Sequence, residues 1–83
     1  MKIFLVNYDL RNDRNYNTLY DRLQKLGGIR VLESMWTLKL QDTVKCADLR
    51  NDLLNYMDND DGIFVAELNA YAWHETDNEP YRR

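Results

Sequence analysis

Few of the side chains here that can do chemistry are spaced to do it together. Cys46 and His74 are the only cysteine and histidine, too few for a zinc centre of the usual Cys/His kind. His74 has no serine or cysteine nucleophile beside it in a recognisable motif, so a catalytic triad finds no support. Asp58, Asp60 and Asp61 crowd together before Gly62 and suggest calcium at first glance. Their spacing fails that of an EF-hand loop: the glycine falls one place early counted from Asp58, and no glutamate closes the loop. A solvated turn accounts for them. Arg11, Arg14 and Arg30 can grip phosphate in a bidentate way, although exposed charges without a role are the commoner case. Trp36 and Trp73 could stack on bases, but tryptophan on strands more often fills a core or a dimer interface. Cys46 lies on an apolar helix face and reads as core. Asp9 closes an apolar run, where an aspartate commonly caps the following loop through an Asx turn.

These residues must be positioned by a small scaffold. A chain of 83 residues holds one domain. With 45% hydrophobic residues, two tryptophans and six tyrosines, it has the means to build a core, which excludes whole-chain disorder. A single cysteine excludes an internal disulfide. No apolar run reaches membrane-spanning length. The opening stretch Met1 to Val6 is short, runs into Asn7 and Asp9 and lacks a small-residue cleavage site, so it reads as a strand and not a signal peptide. A cytoplasmic location is the default expectation. The net charge of −3 lacks the overall field of a strong nucleic-acid binder. Yet Arg11, Arg14, Arg22, Lys25 and Arg30 gather in the first half and the acids dominate the last third, which leaves room for a local basic face.

Periodicity places the elements. Lys2 to Leu10 alternates as a strand, with Phe4, Val6 and Tyr8 on one face and Ile3, Leu5, Asn7 and Asp9 on the other. Both faces begin apolar, so both call for cover, one by helices and one by a partner. Tyr16, Leu19, Leu23 and Leu26 recur at helical spacing after the polar loop 11–15, whose Asn and Asp residues are expected to cap the helix, and Gly27-Gly28 ends it. Ile29–Leu32 and Met35–Leu40 form a strand pair around Glu33-Ser34. Asp42-Thr43 is expected to cap a second helix carrying Cys46, Leu49, Leu53 and Met57. Ile63–Leu68 is a strand, and Tyr71–Trp73 a short fifth one. The order strand, helix, strand, strand, helix, strand predicts an α+β, ferredoxin-like βαββαβ sandwich with both helices on one face of an antiparallel sheet. The domain is drawn over 1–74, with 75–83 as a charged tail that frays.

Val6-Asn7-Tyr8-Asp9-Leu10 followed by Arg11-Asn12-Asp13-Arg14-Asn15 resembles the small CRISPR-associated subunit of the "Cas two" family. There a hydrophobic strand closed by Tyr-Asp leads through a polar Asn-Asp-Arg loop into a helix. The stretch Arg30 to Leu40, with Ser34 between its strands, is similar to that family's middle hairpin. The whole chain, with Leu32-Glu33-Ser34-Met35-Trp36 and the late Ala72-Trp73, resembles still more the small bacterial SinR-like proteins, distant kin of VapD-type ribonucleases. The resemblance implies a homodimer in which the aspartate matching Asp9, one from each subunit, holds Mg²⁺ for phosphodiester cleavage of RNA or DNA. It places Ser34 near the site, and Arg11, Arg14 and Arg30 would then sit near phosphate through their bidentate chemistry. The alternative expectation is a non-catalytic dimeric module that binds nucleic acid or protein, with Asp9 structural.

Overall fold

Alternation along β1 (Lys2–Asp9) sorts the molecule into layers. In this computed structural model, which describes residues 1–11 and 16–82, Phe4, Val6 and Tyr8 are buried beneath the helices. α1 (Asn17–Lys25), β2 (Ile29–Leu32), β3 (Met35–Leu40), α2 (Cys46–Leu54) and β4 (Gly62–Leu68) follow in chain order. The strands make one antiparallel sheet in the order β2-β3-β1-β4, the ferredoxin-like arrangement that the element order implies. Leu19 and Leu23 of α1, Leu49 and Leu53 of α2, and Trp36 and Leu38 of β3 close the core over β1. An ion pair ties the two helices: Arg22 donates from Nε and Nη2 to the two carboxylate oxygens of Asp52, both at 2.9 Å. That pair holds the Arg22 guanidinium pKa above its ordinary value.

The helix ends show which local signals acted. α1 stops at Gly27-Gly28 as expected. Gly27 takes φ of 79° and donates to the Gln24 carbonyl, while Gly28 donates to the Leu23 carbonyl, a Schellman end that glycine alone adopts without strain. The start of α2 differs from expectation. Asp42 and Thr43 do not cap it; Lys45 stands at the cap, and the Asp48 side chain reaches back to accept its N–H at 3.0 Å. Asp42 pairs instead with the amino terminus at 2.9 Å, whose hydrogen bond and charge hold its carboxyl below the usual range. The cap of α1 is Tyr16, without a side-chain cap bond; the Asn and Asp residues expected to cap it, at 12–15, lie outside the described residues. Leu32 pairs with Met35 across Glu33-Ser34, and a register shift between Arg30 and Leu32 bends the hairpin.

The expected fifth strand is not present among the described residues. Residues 71–73 pair with no strand; instead the chain turns back over the helix-free face of the sheet. Asp77 donates its N–H to the Val31 carbonyl at 2.8 Å and Tyr81 its N–H to Thr37 Oγ1 at 3.2 Å. Asn78 reaches the Arg30 carbonyl, the Tyr81 hydroxyl the Gly27 carbonyl, and the Tyr71 hydroxyl the Tyr81 carbonyl. Pro80 is buried. The tail thus supplies cover over β2 and β3 that the alternation of β1 assigned to a partner. Over β4 this face stays open, with Phe64 63% exposed.

A buried polar contact anchors the end of β1 that carries Asp9. The Trp36 indole N–H donates to the Tyr8 hydroxyl at 3.0 Å, with both residues in the core. Burial pushes the Tyr8 hydroxyl pKa above its ordinary 10.0, against the opposing pull of the Trp36 bond. The neutral phenol is therefore favoured in the fold. Its contribution is complete below about pH 10 and is lost as pH rises through the higher folded value. Tyr8→Phe is expected to destabilise the fold by about 1–3 kcal/mol, because the indole N–H loses its acceptor. It should also flatten the loss of stability above about pH 10. Urea unfolding at neutral and alkaline pH checks both.

Candidate functional site

Three segments meet where β1 ends: the β1 terminus itself, the turn between β2 and β3, and the aspartate turn before β4. Asp9 pairs in register with Gly62, the first residue of β4. Its side chain is 75% exposed and meets Arg11 Nε through Oδ2 at 3.4 Å. Arg11 then bridges to the aspartate turn, donating from Nη1 to the Asp60 carbonyl at 3.2 Å. Gly62 leaves room for this: a Cβ there would stand 3.1 Å from Arg11 Nη2. The Asp9–Arg11 contact is long and exposed, the kind that contributes little stability and gives way easily.

The aspartate turn is more than a solvated loop. Asp61 is buried, and its carboxylate organises the corner. Oδ1 accepts the Arg11 N–H at 3.1 Å and the Tyr16 hydroxyl at 3.0 Å; Oδ2 accepts the Asp58 N–H at 3.0 Å. Asp58, Asp60 and Asp61 can each bring a carboxylate oxygen within 4.8 Å of the others, so they could hold a metal ion. Asp61 is the least suited of the three, because donors from the protein already take most of its acceptor capacity. Sequence spacing hid this role. The usable signal was an aspartate three residues after another and directly before glycine, a turn that needs its own amides satisfied.

The other expected site residues divide. Asp9, Arg30 and Ser34 come together with Tyr20 and Glu33 around a depression of about 220 Å³. Ser34 Oγ donates to Asn7 Oδ1 at 3.2 Å. Arg30 is tied down: Nε donates to the Glu33 carbonyl at 2.8 Å, Nη2 donates to the same oxygen, and the guanidinium lies 4.9 Å from the Tyr20 ring centre. Arg14 lies outside the described residues. Trp36 is core; Trp73 and His74 sit away from Asp9, lining a cleft under the tail with Leu5 and Pro80. Asp61→Ala is expected to cost about 2–3 kcal/mol, since it removes the acceptor three donors share, whereas Asp9→Ala should stay within about 0.5 kcal/mol. Thermal unfolding of the two variants beside the wild type checks the contrast.

Among the described residues no helix is long and apolar enough to cross a membrane. A family model described as CRISPR associated protein Cas2 matches residues 1–76. The match spans the strands and helices described above, in agreement with the ferredoxin-like sheet. This chain belongs to the CRISPR associated protein Cas2 family.

Proposed function

We propose that the chain is a metal-dependent endonuclease of RNA or DNA that works as a homodimer, with Asp9 of each subunit contributing to one Mg²⁺ site. One observation carries this reading: the Asp9 carboxylate stands exposed at the end of an interior strand, on the helix-free face that also exposes Phe64. Phe64 pairs in register with Asn7, two residues before Asp9. A two-fold axis near Phe64 would bury the open part of that face and bring two Asp9 side chains towards each other. Paired carboxylates are the hard oxygen ligands that Mg²⁺ prefers. A cation held there would stabilise charge on a phosphate and supply an activated water. Asp9 would bind and orient it, and Arg11, released from its loose contact with Asp9, would turn to phosphate. Arg14 shares that phosphate role in the proposal.

A second reading, a non-catalytic binding module, draws on the same corner. Arg11 already has Asp9 as partner, and Arg30 already has Glu33. The chain is also acidic.

The test is cleavage of labelled single-stranded RNA and double-stranded DNA, with Mg²⁺ or with EDTA. Asp9→Asn, which keeps the shape and loses the charge, is expected to lower Mg²⁺-dependent cutting at least about a hundredfold without loss of fold. Phe64→Glu is expected to shift the protein to monomers in sedimentation velocity and to abolish cutting. A folded wild-type dimer that cuts neither substrate would favour the binding module.

A further inference from the structure

The depression beside Asp9 contains an arginine held in an unusual way. Both Nε and Nη2 of Arg30 donate to one backbone oxygen, the Glu33 carbonyl. Beneath the guanidinium lie two rings, Tyr20 with its centre at 4.9 Å and Trp36 at 6.0 Å. Tyr20 rests in turn against Tyr8 at 6.2 Å between ring centres, and the Tyr8 hydroxyl takes the Trp36 indole N–H. The plane of Arg30 is therefore set from below and from one edge before any ligand arrives. An arginine whose Nε–Nη2 edge is turned inward does not offer that edge to clamp a phosphate in a bidentate way. Its flat outer face is well placed to carry another planar group, and little side-chain entropy remains to be lost when it does.

We infer that this depression is a subsite for a single unpaired nucleobase, stacked on Arg30 and read at its edge by the Glu33 carboxylate. The inference rests on the nuclease reading only for its substrate class. Guanidinium planes are stacking surfaces for splayed-out bases in single strands. The cavity of about 220 Å³ opens between Tyr20, Arg30, Glu33, Ser34 and Asp9, so a base must leave its own stack to enter. That step is least costly in a single strand. Glu33 is exposed at the rim. An ionised carboxylate only accepts hydrogen bonds. Cytosine and adenine present an amino group to it, whereas uracil and thymine present a carbonyl at the corresponding place. The subsite therefore selects cytosine and adenine in single strands.

Binding in EDTA tests this apart from cleavage, so an inactive protein does not decide it. Fluorescence anisotropy would compare labelled oligo(C), oligo(A), oligo(U) and a blunt duplex on the full chain. Oligo(C) and oligo(A) are expected to bind about fivefold or more tighter than oligo(U), and the duplex weakest. Glu33→Gln keeps the backbone carbonyl that holds Arg30 and is expected to erase the base preference. Arg30→Lys keeps the charge, loses the plane, and is expected to weaken oligo(C) binding by about fivefold or more. Glu33→Gln carries the test alone if Arg30→Lys fails to fold. Equal binding of oligo(C) and oligo(U), a preference that survives Glu33→Gln, duplex binding as tight as single strand, or no binding at all would overturn the inference.

Discussion

The register of β1 is the constraint on which the other features depend. It pairs on one side with β3 and on the other with β4, so its alternation is imposed on three strands at once. Phe4, Val6 and Tyr8 go under the helices, and Ile3, Leu5, Asn7 and Asp9 go to the opposite face. A slip of one residue would exchange the two sets and put Asp9 where Tyr8 now packs. The Trp36–Tyr8 bond and the Asp61 corner both secure the end of this strand, one from within the core and one from the loop. Among the described residues no buried side-chain nitrogen or oxygen is left without a partner, which suits a core too small to tolerate many such losses.

Among the described residues, arginines of the first half of the chain are restrained while carboxylates are presented at the end of β1. Arg22 is spent on Asp52, Arg30 on a carbonyl and two rings, and Arg11 on the gap between Asp9 and Asp60. Exposed at the same end of the sheet are Asp9, Asp60 and Glu33. Such a corner attracts a cation before it attracts a polyanion. A nucleic acid would meet it through a bound metal and through planar stacking more than through bulk electrostatic attraction. That ordering is consistent with the net charge of −3.

Most of the fold could be read from the chain because its signals are local and agree with one another. The two-residue period of β1, the apolar helix stripe ending at Gly27-Gly28, and the apolar stretches around Glu33-Ser34 each lead to the observed element. What stayed hidden depends on contacts between distant residues. Asp42 resembles a cap in sequence, yet the amino terminus takes its carboxylate. Tyr71–Trp73 reads as a strand, but Tyr71 and Tyr81 bond to each other where the tail returns over the sheet, so cover expected from another subunit comes partly from the same chain. Asp9 became a candidate through the resemblance of its strand end to the family, since its position alone reads as a cap. The role of Asp61 was not, because Arg11 and Tyr16, which it joins, lie some 45 to 50 positions away.

The proposed function needs Asp9, and not the neighbouring aspartate turn, to be the metal ligand of this corner. Paramagnetic line broadening of backbone amide signals, as Mn²⁺ is titrated into the isotope-labelled protein, tests it most directly. Broadening is expected to begin at Asp9, Leu10 and Gly62 and to disappear in Asp9→Asn. Broadening centred on Asp58 and Asp60 that persists in Asp9→Asn would contradict it.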